Sequence, residues 1–113
     1  MKLPKKPTIK QKGLKGYQFP LENKNIEIDY VDVSQGHDNY IISKKCTHIY
    51  YVLEGAGEFE LDGKVQKVKE GSMVEILPNV EFTYSGKMKL LLTMNPPWFE
   101  GNSTTIKKNP KVK

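Results

Sequence analysis

An all-β fold, built as an antiparallel sandwich or small barrel, follows from three features of the sequence. The chain is a succession of short β-branched and aromatic runs. Apolar and polar residues alternate with period two inside them, and Gly- or Pro-bearing turns separate them at near-regular spacing. Helical periodicity is nearly absent, so the strands have no crossover helices to join them in parallel. A length of 113 residues is one domain's worth. No apolar run approaches the ~18 residues that would span a bilayer, so no membrane partner is expected.

The elements follow in chain order. Asn25 to Val33 places Ile26, Ile28 and Tyr30 on one face and Glu27, Asp29 and Asp32 mostly on the other, the pattern of a half-buried strand, and Gly36 ends it. Tyr40 to Ser43 and Thr47 to Leu53 are β-branched and aromatic enough for strands, with Glu54-Gly55-Ala56-Gly57 read as a turn. Glu58 to Leu61 follows with Phe59 and Leu61 facing in. Asp62-Gly63 before Val65 to Val68 is a type I′ hairpin signal. Then come a Glu70-Gly71 turn, Ser72 to Leu77, a Pro78-Asn79 turn, Val80 to Tyr84, a Ser85-Gly86 turn, and Met88 to Met94. Asn95-Pro96-Pro97 ends the regular structure, because consecutive prolines cannot donate to a ladder. Eight or nine strands are expected.

The net charge of +5 suggests nucleic-acid binding until it is placed along the chain. Residues 1–15 hold six lysines and residues 101–113 hold four, with no acid in either segment. Residues 16–100 carry eight lysines against all thirteen acids. The expected organisation is a basic flexible N-terminal segment (1–15), a barrel domain (16–100) and a basic C-terminal tail (101–113). No arginine is present, which removes the planar fork that reads guanine or grips phosphate, and nucleic acid is not the expected partner. The single cysteine, Cys46, cannot form an internal disulfide, and no apolar segment follows the basic N terminus. A cytoplasmic location is therefore expected, and the sequon Asn102-Ser103-Thr104 is read as coincidence.

The stretch from Ile49 through Leu53-Glu54-Gly55-Ala56-Gly57-Glu58-Phe59, then Asp62-Gly63, Gly71 to Asn79 and Asn95-Pro96-Pro97-Trp98, resembles the small single-domain cupins over about residues 25–98. The resemblance implies an antiparallel double-sheet jelly-roll barrel, commonly homodimeric, with a site in the barrel mouth. The family's metal motifs do not survive in this chain. Counted back from Gly55, the glutamate position falls on His48, and the two histidine positions fall on Ile42 and Lys44, or on Ile41 and Ser43. Counted from Gly71, the last histidine position falls on Phe82. A divalent metal needs three or four convergent N or O ligands, so a degenerate metal site and no cofactor are expected.

What remains at those positions defines the candidate site. By strand parity Cys46, His48, Tyr50 and Val52 share one inward face, and Phe82 and Tyr84 share another. Met88, Leu90, Leu92 and Met94 complete an apolar wall. Cys46, His48, Tyr50, Phe82, Tyr84 and Leu92 are the expected ligand-binding residues, for a small organic molecule held by aromatic surface and oriented by the imidazole and phenols. The alternative is that these residues simply fill the core. As an enzyme, the chain would be a metal-free sugar or sugar-nucleotide epimerase or isomerase in which His48 with Tyr50 or Tyr84 moves protons, with Glu75 or Asp38 as the only candidates to orient the imidazole. A further alternative is a metal-dependent cupin enzyme with atypical ligands, in which His37 folds back toward His48, Asp38 and Cys46. Cys46 as a nucleophile is the weakest reading. Trp98 and Phe99 are expected to cap the barrel end or a dimer seam.

Overall fold

The computed structural model describes all residues, 1–113, as nine strands with no helix. The strands are β1 (Ile9–Lys10), β2 (Leu14–Gln18), β3 (Glu27–Val33), β4 (Asn39–Ser43), β5 (Thr47–Leu61), β6 (Lys64–Lys69), β7 (Met73–Ile76), β8 (Glu81–Asn95) and β9 (Ser103–Lys108). No helix is long and apolar enough to cross a membrane.

All nine strands belong to one antiparallel sheet that curls into a barrel of two halves. In one half β2, β3, the later part of β8, the first part of β5 and β7 lie side by side. In the other, β9, β4, the first part of β8, the later part of β5 and β6 do so. β5 and β8, fifteen residues each, run through both halves and are paired along their length. Two expected turns are therefore bends within continuous strands. At Glu54 to Gly57 a register shift between Val52 and Glu54 and a positive φ of 88° at Gly55 bend β5. Opposite it, Gly57 pairs with Gly86, and a Cβ on Gly86 would stand 2.6 Å from the Gly57 Cα. The glycines allow two backbones to meet at a barrel corner rather than reversing the chain. Asp62-Gly63 does reverse it, with φ of 47° and 82°, the signature of a type I′ turn.

The expected tails are corrected by the pairing. β1 and the first two residues of β2 come from the basic N-terminal segment, and Leu14 lies in the core at 5% exposed. The Asp38 carboxylate accepts from the Lys12 and Gly13 amides at 3.0 and 2.9 Å, which fastens this segment to the loop before β4. β9 comes from the basic C-terminal segment and pairs with β4. Its two ends are held by asparagines. Asn102, 1% exposed, donates to Ser43 Oγ at 2.7 Å and accepts from the Lys45 amide at 2.9 Å. Asn109, 3% exposed, donates from Nδ2 to the His37 and Tyr84 carbonyls and to the Thr83 and Ser85 hydroxyls. The sequon asparagine is thus a buried structural residue.

Candidate functional site

Strand parity brings the expected interior together. Cys46, His48, Tyr50, Val52, Phe82, Tyr84, Leu90, Leu92 and Met94 are all buried. Because β5 and β8 bend at the glycine corner, Phe82 and Tyr84 on one barrel half face His48 and Tyr50 on the other. The ring centroids stand 5.2 Å apart for His48 and Phe82, 5.3 Å for Tyr50 and Tyr84, and 6.2 Å for the near-parallel His48 and Tyr50. Phe59 closes the cluster against Tyr84 at 4.9 Å. These aromatic contacts fill much of the barrel interior.

The β3 pattern is inverted relative to the sequence expectation of an apolar buried face. Val31 and Val33 share parity with Glu27 and Asp29, and this face is the buried one. Ile28 and Tyr30 are half-buried on the other side. The inward set therefore gains two carboxyls. Asp29 is paired through Leu92 to Tyr50 across three strands, and Glu27 is paired through Met94 to His48 in the next row. Glu75, in contrast, is exposed on β7, and Asp38 is committed to backbone amides, so neither orients the His48 imidazole.

Three buried side-chain atoms have no hydrogen-bond partner: both carboxyl oxygens of Asp29 and Nδ1 of His48. Buried polar groups are nearly always paired, so these are exceptions that call for a reason. Burial and the adjacent Glu27 carboxyl push Asp29 up to about 8. Burial lowers His48 to about 4, leaving a neutral imidazole near pH 7. Burial likewise raises Tyr50 and Tyr84 above the usual phenol range, so both remain protonated donors. It also raises Cys46, whose Sγ lies 3.7 Å from the Pro97 carbonyl and has the character of an inert thiol.

His37 also reaches this interior. Its ring meets Tyr84 edge-on at 5.8 Å, and burial lowers its pKa. Nδ1 donates to the Asn39 carbonyl at 2.8 Å, fixing the ring and leaving Nε2, 3.5 Å from the Gln11 amide nitrogen, as the unprotonated nitrogen. His37, Tyr84 and Tyr50 therefore form a continuous line of contacts. Sequence reasoning considered His37 only for a metal. The atypical set of His37, Asp38, Cys46 and His48 is not assembled as a ligand cluster: no three His, Cys, Asp or Glu side chains stand together in metal-holding geometry.

Two recesses meet these walls. A groove of about 360 Å³ at the end of β3 is lined by Gln18, Phe19, Ile26, Pro97 and Glu27, whose Oε1 accepts from the Trp98 amide at 3.2 Å. The Trp98 and Phe99 side chains are exposed. A smaller recess of about 70 Å³ touches Tyr40, Thr83, Tyr84 and Asn109.

The fold is shared with cupin proteins. Streptomyces Pac13 with uridine is 19% identical, with a TM-score of 0.85 over 91% of this chain and 85% of that one. Pac13, described as a unique nucleoside dehydratase, appears again at 20% identity, with a TM-score of 0.85 over 91% of this chain and 86% of that one. An RmlC-like cupin from Shewanella frigidimarina is 20% identical, with a TM-score of 0.68 over 77% of this chain and 79% of that one. No curated protein matches the chain. The AraC-like ligand-binding domain family matches residues 35–108, the stretch that supplies His37, His48, Tyr50, Phe82 and Tyr84, and the chain belongs to that family.

Proposed function

We propose that this protein binds a nucleoside inside the barrel and removes water from it by metal-free acid–base chemistry. One observation carries the reading. Pac13 is described with uridine in a histidine-to-glutamine variant and in two tyrosine-to-phenylalanine variants. Those positions are spaced 13 residues from the histidine to the first tyrosine and 34 from the first tyrosine to the second. His37, Tyr50 and Tyr84 repeat both spacings, and here they stand in one line of ring contacts. Three residues, one histidine and two tyrosines, at matched separations support the reading more than fold likeness alone.

The residues suit an elimination. His37, kept neutral by burial, takes a proton from a carbon beside a carbonyl. The electron pair forms a C=C bond as the neighbouring C–O bond breaks. The hydroxyl leaves as water with a proton from a tyrosine, which His37 then restores. This needs a nucleoside bearing an oxidised carbon, with a hydroxyl on the second carbon from it. Here His37 takes the catalytic part expected of His48, with Tyr50 and Tyr84 as its partners. Expected homodimerisation belongs to the same proposal: Tyr51, Leu53 and Met73 are exposed on the outer faces of β5 and β7, and sedimentation of wild type against Tyr51→Lys tests it.

The test incubates the protein with carbonyl-bearing nucleosides and follows loss of one water by mass spectrometry. Wild type is expected to turn over at least one. His37→Gln, Tyr50→Phe and Tyr84→Phe are each expected to lose about 100-fold or more in rate while remaining folded. Turnover unchanged in all three contradicts the assignment.

A further inference from the structure

The interior contains two polar groups that the elimination does not use. Asp29, 2% exposed, and His48, 4% exposed, leave three side-chain atoms without a partner. Both lie on the inner face, in adjacent cross-strand rows that flank Leu92 and Met94. We propose that Asp29 and His48 form the recognition end of the ligand chamber and select an uncharged, hydrogen-bonding ligand, a free nucleoside in preference to its phosphate ester. This rests on the nucleoside reading above.

Asp29 and His48 place hydrogen-bonding atoms beside the tyrosines with no partner in the protein apart from the Glu27 carboxyl next to Asp29, and a ligand's hydroxyl, amide or ring nitrogen would satisfy them. The same interior has nothing to hold a phosphate. The chain has no arginine, no lysine is buried, and no helix offers an N terminus. Glu27 lies on the inward face two residues from Asp29 and also lines the groove at the end of β3. A phosphate entering by that groove would meet the Glu27 carboxyl, and the one cation in the lining, Lys24, is exposed at the rim with its ammonium donating to the Leu21 carbonyl at 3.0 Å. Protonation of Asp29 up to about pH 8 agrees with a neutral partner, since a carboxylic acid offers a donor and an acceptor side by side.

Calorimetric titration of uridine and of uridine monophosphate tests this. Wild type is expected to bind uridine and to bind the monophosphate about 100-fold more weakly or not at all. Asp29→Leu and His48→Phe, each shown to be folded by its melting curve, are expected to lose about 10-fold or more in uridine affinity. Asp29→Asn, which keeps a donor and an acceptor, should stay within a few-fold of wild type. Equal affinity for the two ligands overturns the charge selection. Uridine affinity unchanged in both Asp29→Leu and His48→Phe overturns the recognition end while leaving the nucleoside reading intact. If folded wild type binds no uridine, the nucleoside reading fails and this inference fails with it.

Discussion

Asp29 is costly where it stands, and the direction of that cost can be measured. Its folded value of about 8 lies above the ordinary 3.8, so the native state holds the proton more tightly than the unfolded chain. The associated stability is complete below about pH 4 and is lost as pH rises toward 8. Asp29→Asn removes the ionisable group and keeps the shape. It is expected to melt roughly 10 °C above wild type at pH 8, equivalent to about 2 kcal/mol, and level with it at pH 4. Equal melting at both values would show that Asp29 is solvated. His48 works the other way: with its value depressed to about 4, its contribution is complete above about 6.5 and lost as pH falls toward 4. His48→Phe should therefore flatten the acid limb of a melting-against-pH curve. Period-two parity made Cys46, His48, Tyr50, Phe82 and Tyr84 legible as interior residues. It missed Asp29 because both parities of β3 carry apolar residues, and Ile26, Ile28 and Tyr30 outweighed Val31 and Val33 on a hydropathy reading. The partnerless carboxyl atoms become visible only once the opposite wall is in place.

The strands themselves were largely legible, and the misreadings concern glycine and lysine. Gly55, Gly57 and Gly86 look like turn residues, yet they bend strands that continue. A sequence window sees the absent Cβ but not the facing backbone that requires it. Gly86→Ala puts a methyl group against Gly57 and demands a residue at φ 131°, so it is expected to cost more than about 3 kcal/mol or to abolish folding, read by chemical denaturation. Gly63→Ala, at an open turn with nothing within 4 Å, should cost far less. β9 was hidden by its lysines, although Thr104, Thr105 and Ile106 are strand-forming residues between two asparagines. Asn109 joins the His37 carbonyl to Thr83, Tyr84 and Ser85 through four hydrogen bonds. Asn109→Ala should cost about 2–3 kcal/mol and speed amide exchange in β4 and β9; unchanged exchange would show that β9 does not depend on this anchor.

Over the whole molecule, charge and polarity are sorted by depth. The lysines stay at the surface, the acid pair of β3 turns inward, and between them lies an aromatic interior with three polar atoms left unpaired. Such an interior is expensive as a structural core and suits a chamber whose missing partners come from a ligand. The cupin fold was readable because its turns and alternation are local properties. The His37, Tyr84 and Tyr50 line was not, since His37 reaches Tyr84 only after β8 curls past the loop before β4. The most direct measurement is a crystal structure of the protein with uridine. The account predicts uridine inside the barrel, in contact with His37, Tyr50 and Tyr84, with a hydrogen bond to Asp29 or His48. Uridine found only on the outer surface, with the aromatic interior unchanged and closed, would contradict it.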